Sequence, residues 1–234
     1  MRIAMWSGPR NLSTAMMYSF GNRADFAAWD EPFYAPYLAA SNIDHPMKAE
    51  ILGAHETNPD AVAHQCVGDI PNGKPHFYMK HMPHHMLPDF SLDWAKACVN
   101  IHLIRHPARV VASYTKKRDE VSLEDVGFQQ QTAVYKALGG IVIDSADVRA
   151  DPERMMKALC GAIGLEFDPA MLAWPSGPKS FDGVWAQHWY DAVHKSTGFA
   201  GREGPLPEVG GKAAEIVETA LPSYRMMESA KLSI

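Results

Sequence analysis

Two stretches of the chain carry residue types that could hold an anion. The first is Trp6-Ser7-Gly8-Pro9-Arg10-Asn11-Leu12-Ser13-Thr14, where a short apolar run breaks at Ser7-Gly8-Pro9 and an apolar face at helical spacing begins at Leu12. A strand that feeds a loop and then a helix start presents unpaired backbone N–H groups and the positive end of the helix dipole, and both favour a negative group. Arg10 adds a guanidinium fork suited to phosphate or sulfonate oxygens, while Ser13 and Thr14 supply hydroxyl donors. The loop is not GxxxxGK[ST]: no lysine precedes Ser13 and Leu12 stands where the second glycine would be, which argues against ATP or GTP hydrolysis. The plainer alternative is a Ser/Thr helix cap beside a surface arginine. The second stretch is Arg105-His106-Pro107-Ala108-Arg109-Val110-Val111-Ala112-Ser113-Tyr114. Arg105 ends an apolar strand, where open α/β sheets place ligand groups. Ser113, two helical turns on, reaches such a ligand only if the ligand lies beside the helix. An exposed arginine and a neutral helical serine are the bland alternatives.

These residues need elements to position them. Apolar or β-branched runs predict strands over residues 2–6, within 24–32, and over 76–80, 98–104 and 139–144. Helical spacing predicts helices over 12–20, 107–117, 152–164 and 211–221, with Pro107 in a first helical turn and Gly164 at a helix end. Pro36, Pro46 and Asn58-Pro59 divide a region of modest helices between the second and third strands. Alternating strands and helices imply an α/β fold with parallel strands covered on both faces, although spacing does not fix the strand order. Residues 174–210, rich in Gly, Pro and aromatics, suggest an ordered segment packed over the sheet.

Composition sets the outer bounds. At 234 residues, 47% hydrophobic and 21% charged, the chain reads as globular, with residues 1–234 as one domain. No apolar run reaches the roughly 18 residues of a membrane span, and the first residues lack a basic leader and cleavable apolar segment, so no membrane association is expected. A net charge of −5 argues against a nucleic-acid polymer as partner but leaves room for a local basic pocket. Cys66, Cys98 and Cys160 form no CxxC pair and are odd in number, which fits a reducing cytoplasm.

At Pro9-Arg10-Asn11-Leu12-Ser13-Thr14 the chain resembles the sulfotransferase loop that holds the 5'-phosphosulfate of the donor PAPS, 3'-phosphoadenosine 5'-phosphosulfate. Arg105-His106-Pro107 followed by Ser113 is similar to that family's 3'-phosphate motif, and residues 142–169 resemble its later strand-helix segment. The resemblance implies a three-layer α/β/α fold with a central mostly parallel sheet, like that of the P-loop NTPases, and transfer of a sulfuryl group from PAPS to a small-molecule hydroxyl or amine. It implies that Ser7 to Thr14 cradle the donor, that Arg10 stabilises the transferring group, and that Arg105 and Ser113 hold the 3'-phosphate. Asn11-Leu12 departs from the usual Ser-Gly. Gly183 and Trp185 resemble the end of a cofactor-binding Gly-x-x-Gly-x-Trp segment, with a structural Trp185 as the alternative.

Two residues compete as the base that takes the acceptor proton. His81, in Lys80-His81-Met82-Pro83, resembles the catalytic histidine of small-molecule sulfotransferases, and an imidazole accepts a proton near neutrality without special help. Lys80 lies near the family's catalytic lysine, one residue out of register. Glu31, in Asp30-Glu31-Pro32, sits at a strand end and is similar to the acidic base of other sulfotransferase branches; a carboxylate in that role needs burial or an oriented hydrogen bond. His76, His81, His84 and His85 lack a metal-ligand spacing, and intervening prolines deny them one helical face, so no metal is expected. Trp174, Trp185, Trp189 and Tyr190 form either an acceptor pocket or an aromatic lid. A kinase-like phosphoryl transferase and a catalytically silent nucleotide-binding protein are the alternative functions, and the oligomeric state, a homo-oligomer included, is open.

Overall fold

The computed structural model describes residues 1–41, 43–115 and 121–233. Five strands, β1 (Arg2–Ser7), β2 (Phe26–Asp30), β3 (His76–His81), β4 (Val99–Ile104) and β5 (Ile141–Asp144), form one sheet in the order β2-β3-β1-β4-β5. Every pairing is parallel. The strands are apolar on both sides because both sides are covered. Ile3, Met5, Tyr78, Ile101, Leu103 and Ile143 enter one buried cluster, while Ala4, Trp6, Phe77 and Met79 enter another on the opposite face.

The helices are α1 (Ser13–Gly21), α2 (Tyr34–Ser41), α3 (Lys48–Ala54), α4 (Pro59–Val67), α5 (Pro107–Tyr114), α6 (Leu123–Val126), α7 (Phe128–Leu138), α8 (Ser145–Ala150), α9 (Pro152–Ala162), α10 (Ala186–Trp189), α11 (Asp191–His194) and α12 (Lys212–Glu228). Met16, Met17 and Phe20 of α1 and Met155, Met156 and Leu159 of α9 pack on one face of the sheet. Val110 and Val111 of α5 share a cluster with Ile216, Val217, Ala220 and Tyr224 of α12, and Val134 of α7 joins Trp6 and Phe77 on the other face. The architecture is therefore the three-layer α/β/α sandwich that strand-helix alternation predicts.

Some boundaries differ from those expected. The helix predicted over 12–20 begins at Ser13, and β5 begins at Ile141 because Gly139 and Gly140, both at positive φ, turn the chain first. The helix predicted over 152–164 stops at Ala162, and Gly164 takes the left-handed conformation that closes it, with Leu165 N–H donating to the Cys160 carbonyl. Residue 117, the expected end of the helix from Pro107, lies outside the described residues. The last helix runs seven residues past its predicted end, to Glu228, through Pro222. An internal proline costs about 3 kcal/mol, but continuation buries Tyr224 and Met227 and lets the Tyr224 hydroxyl donate to Asp144 at 2.8 Å. Helices α6, α7 and α8 lie where no helix is predicted.

In a parallel sheet all strands end at one edge, and Ser7, Asp30, His81, Ile104 and Asp144 all lie there. The chain leaves β1 toward β2 and β3 on one side, then returns to place β4 and β5 on the other. The crevice between the ends of β1 and β4 is thus the switch point where open α/β sheets bind ligands.

Candidate active site

The loop after β1 is tied to the end of β4 by two buried amides. Gln131, on α7, accepts from the Gly8 N–H (3.3 Å) and donates through Nε2 to the carbonyls of Trp6 (3.1 Å) and Leu103 (3.0 Å). Asn11 Nδ2 donates to the Leu103 carbonyl at 3.3 Å. A Cβ on Gly8 would come within 2.7 Å of the Val126 carbonyl oxygen, so this position has no room for a side chain. Arg10 and Leu12 have φ of 64° and 78°. Leucine here adopts the left-handed backbone that glycine reaches freely, at a cost of about 1–2 kcal/mol, so the loop follows a path that its residue type does not advertise. The start of α1 receives no side-chain cap. Ser13 is buried rather than capping, and the N–H groups of the first turn have no partner within the helix.

Beside this helix start the structure gathers Arg10, Arg105 and Ser113. Arg10 Nε donates to Ser113 Oγ (3.0 Å), and Arg105 Nη1 donates to the Arg10 carbonyl (2.6 Å). Burial, and then the neighbouring Arg105 charge, push the Arg10 pKa below the usual guanidinium value. Two guanidiniums brought together in this way lower the energy of an anion bound between them. Arg105 is also held by Glu203, which reaches in from the C-terminal segment.

A second group lies at the ends of β2 and β3. Lys80 Nζ donates to Asp30 Oδ1 (2.9 Å), to the Tyr190 hydroxyl (2.7 Å) and, in a very short contact, to Glu31 Oε1. The Tyr190 hydroxyl donates to Asp30, whose Oδ2 also accepts the Gly183 N–H at 3.2 Å. Lys80 and Asp30 are only 2% and 1% exposed, so these charges interact with little screening. Burial works against the Lys80 ammonium, but Asp30 and Glu31 outweigh it and hold its pKa well above the ordinary lysine value. Burial raises the Glu31 pKa; the Lys80 charge opposes that rise and Asp30 adds to it. Glu31 has a φ of 43°, a strained value for a non-glycine residue, and its Oε2 lies 3.9 Å from His85 Nδ1.

His81 faces the other way. Alternation along β3 puts Lys80 and His81 on opposite faces of the sheet. The His81 ring stacks 4.7 Å from Trp6 and lies 4.9 Å from Trp94, and neither ring nitrogen has a hydrogen-bond partner among the described residues. Burial, and then the Lys80 charge, push its pKa down to about 3, so the imidazole is neutral. Gly183 and Trp185 belong to the Lys80 group. The Trp185 ring occupies the space where a Gly183 side chain would go, packs against Tyr34 (4.9 Å), and directs Nε1 to the Tyr190 hydroxyl (3.4 Å).

Gln131, Arg149, Glu203 and the pairing of Asp30 with Lys80 lie outside the residues that the sequence singles out. A signal for Gln131 was present: Ser122 and Asp125 form a capping box that starts α6, and Gly139 ends α7. Nothing local marks a contact such as Tyr190 to Asp30, which spans 160 positions. A cleft of about 500 Å³ lined by Trp29, His64 and Phe77 lies at the outer edge beside β2, away from both groups. Chemistry rather than cleft size therefore marks the site.

The parallel α/β sheet carries an uncapped helix start and two arginines at its switch point, groups whose chemistry suits an anion. The sulfotransferase domain model matches residues 1–231, and the chain belongs to that family. Among curated proteins it is 33% and 31% identical to branched-chain-amino-acid aminotransferase-like proteins 1 and 2 of Arabidopsis thaliana, over 97% and 96% of this chain. It spans 41% of the length of each. The fold is similar to the sulfotransferase domain of the curacin biosynthetic pathway, with a TM-score of 0.56 at 15% identity, covering 94% of this chain and 96% of that one. It also resembles a sulfotransferase from Alicyclobacillus acidocaldarius, with a TM-score of 0.58 at 11% identity over 97% and 94% of the two chains. At such identities these structures speak to the fold alone.

Proposed function

We propose that the chain transfers a sulfuryl group from PAPS to a hydroxyl or amine of a small-molecule acceptor. The observation that carries this reading is the contiguous set Arg10, Ser113 and Arg105 at the crevice between β1 and β4, beside a helix start without a side-chain cap. Such a cluster suits an anion with phosphate groups at two places, one at the loop of Ser7 to Thr14 and one at Arg105. When bound, the donor supplies a sulfuryl group on a phosphate leaving group. The N–H groups of the first turn of α1 and the Arg10 guanidinium are placed to meet the negative charge of that leaving group.

Glu31 is the base in this reading. Parallel strands lie about 4.8 Å apart, so the end of β2 stands roughly 10 Å from the end of β1 with β3 between them. Glu31 Oε1 is engaged by Lys80, and Oε2 is the oxygen left to accept the proton. Burial raises the Glu31 pKa and the Lys80 charge opposes that rise; an upward shift is the direction a carboxylate base needs near neutral pH. His81, neutral among aromatic rings and far below its ordinary pKa, would have to form an imidazolium with no hydrogen-bond partner among the described residues. Lys80 positions Glu31, and Gly183, Trp185 and Tyr190 make the segment 174–210 a cover over this half of the site, within one domain.

Calorimetric titration with 3'-phosphoadenosine 5'-phosphate, beside ATP and adenosine 5'-phosphate, tests the donor assignment. Selective binding of the doubly phosphorylated nucleotide, weakened in both Arg10→Ala and Arg105→Ala, is the expected result. Equal affinity for all three, or no binding at all, removes the reading.

A further inference from the structure

Glu203 sits in an arrangement that the Arg105 assignment does not explain. Its side chain is 4% exposed although it belongs to a coil in which Gly201, Arg202, Gly204, Pro205 and Leu206 are all exposed. Three arginines from three elements converge on its carboxylate. Arg105, after β4, reaches Oε1 through Nε (3.1 Å) and Nη2 (2.5 Å); Arg149, on α8, reaches the same oxygen through Nη1 (2.6 Å); and Arg109, on α5, lies 2.9 Å from Oε2 through Nε. The same arginines hold the flanking backbone, since Arg149 Nε donates to the Gly201 carbonyl (2.8 Å) and Arg109 Nη2 to that of Gly204 (2.5 Å).

The charges do not balance. One carboxylate neutralises one of the three guanidiniums, and Arg105 is joined through the Arg10 carbonyl to the anion loop, where Arg10 adds a further positive charge. A phosphate monoester carries about −1.5 to −2 charges at neutral pH and three strong acceptor oxygens, a closer match to three guanidinium forks than a carboxylate's two oxygens. Between Phe199 and Val209, which pack on the core clusters, the segment that brings Glu203 is fastened by these arginines, with Leu206 51% exposed.

We infer that Arg105, Arg109 and Arg149 form one subsite for a phosphate dianion, and that Glu203 is its internal occupant, displaced when the second phosphate of the donor arrives. The inference rests on the PAPS reading and adds to it the residues Arg109 and Arg149 and a competitor built into the chain. Residues 201–204 then act as a strap whose release accompanies donor binding. Preference for a 3'-phosphorylated nucleotide over adenosine 5'-phosphate comes from the arginines, and the absolute affinity is held down by Glu203.

The test is calorimetry on the full chain with 3'-phosphoadenosine 5'-phosphate and adenosine 5'-phosphate, comparing the native protein with Glu203→Gln, Arg109→Ala and Arg149→Ala. If Glu203 leaves the subsite open in about one molecule in ten, Glu203→Gln tightens binding of the doubly phosphorylated nucleotide about tenfold. It leaves adenosine 5'-phosphate within twofold, and each arginine variant weakens only the former. Unchanged or weaker binding in Glu203→Gln, while the native protein still selects the doubly phosphorylated nucleotide, overturns the strap and leaves the PAPS reading standing. Equal binding of both nucleotides by the native protein and by Glu203→Gln overturns both. Hydrogen exchange on the native protein supplies a readout that needs no variant: the nucleotide should accelerate exchange at residues 201–204, and protection there would contradict displacement.

Discussion

Replacing Lys80 with methionine keeps the length of the side chain and removes the cation that touches both Asp30 and Glu31. In the native fold Lys80 is 2% exposed and its partners 1% and 8%, so water cannot replace the lost contact without opening the core. Breaking a buried ion pair by deleting one partner costs about 3–5 kcal/mol, a large share of the roughly 5–15 kcal/mol by which proteins of this kind are stable. Glu31 gives the loss a pH dependence. Its carboxyl is raised above 4.5 in the folded chain by burial, and Lys80 is the charge that opposes the rise. Without Lys80 the folded value climbs further. A carboxyl with a folded pKa above its unfolded value binds protons more tightly in the fold, so its effect on stability is favourable at low pH and is lost as pH rises from 4.5 through the folded value. Urea unfolding followed by tryptophan fluorescence should therefore show the full penalty for Lys80→Met at pH 8 and a smaller one at pH 5. A penalty under about 1 kcal/mol, in the range of a surface pair, or one independent of pH, would refute the description of this cluster as a buried charge network.

Glu31→Gln should keep nucleotide binding and lower turnover by about 100-fold or more, the scale of a lost general base; near-native turnover would remove Glu31 from that role. Native turnover should rise with pH along a limb displaced above the ordinary carboxylate range, because burial raises the Glu31 pKa. His81→Phe should stay folded and active within a few-fold. Because the folded His81 pKa is depressed to about 3, the native chain loses stability as pH falls from 6.5 toward that value. The variant should lose less over that interval, and an equal loss in circular-dichroism melts would show that His81 is not the source. Gly8→Ala places a methyl against the Val126 carbonyl, and overpacking of this kind costs about 1–3 kcal/mol; a lower melting temperature with weaker donor binding is expected, and an unchanged loop would count against the close approach.

The alternation of apolar strands and helices made the layer architecture legible, because a parallel sheet covered on both faces needs strands that are apolar throughout. The meeting of Arg10, Arg105 and Ser113 has a related reason: each follows closely on the end of β1 or β4, and the switch point brings those ends together. What escaped was set by distance along the chain. Glu203 meets Arg105 across 98 positions and Tyr190 meets Lys80 across 110, and no periodicity encodes such meetings. The extra length of α12 escaped because Pro222 reads locally as a stop, whereas the burial of Tyr224 beyond it is a tertiary gain. Leu12 misled in a subtler way. Residue type speaks against a left-handed position, yet the loop holds one there.

The amide of Gln131 has one more consequence, for the cost of recognition. By engaging the Gly8 N–H and bridging the ends of β1 and β4, it removes one donor from those available to a ligand and fixes the loop before any ligand arrives. Pro9 has no N–H to offer, so the next backbone donor of the loop is that of Arg10. A loop already ordered by its own scaffold gives up little freedom on binding, and that restraint reaches the ligand from α7, a helix that need not touch the ligand at all.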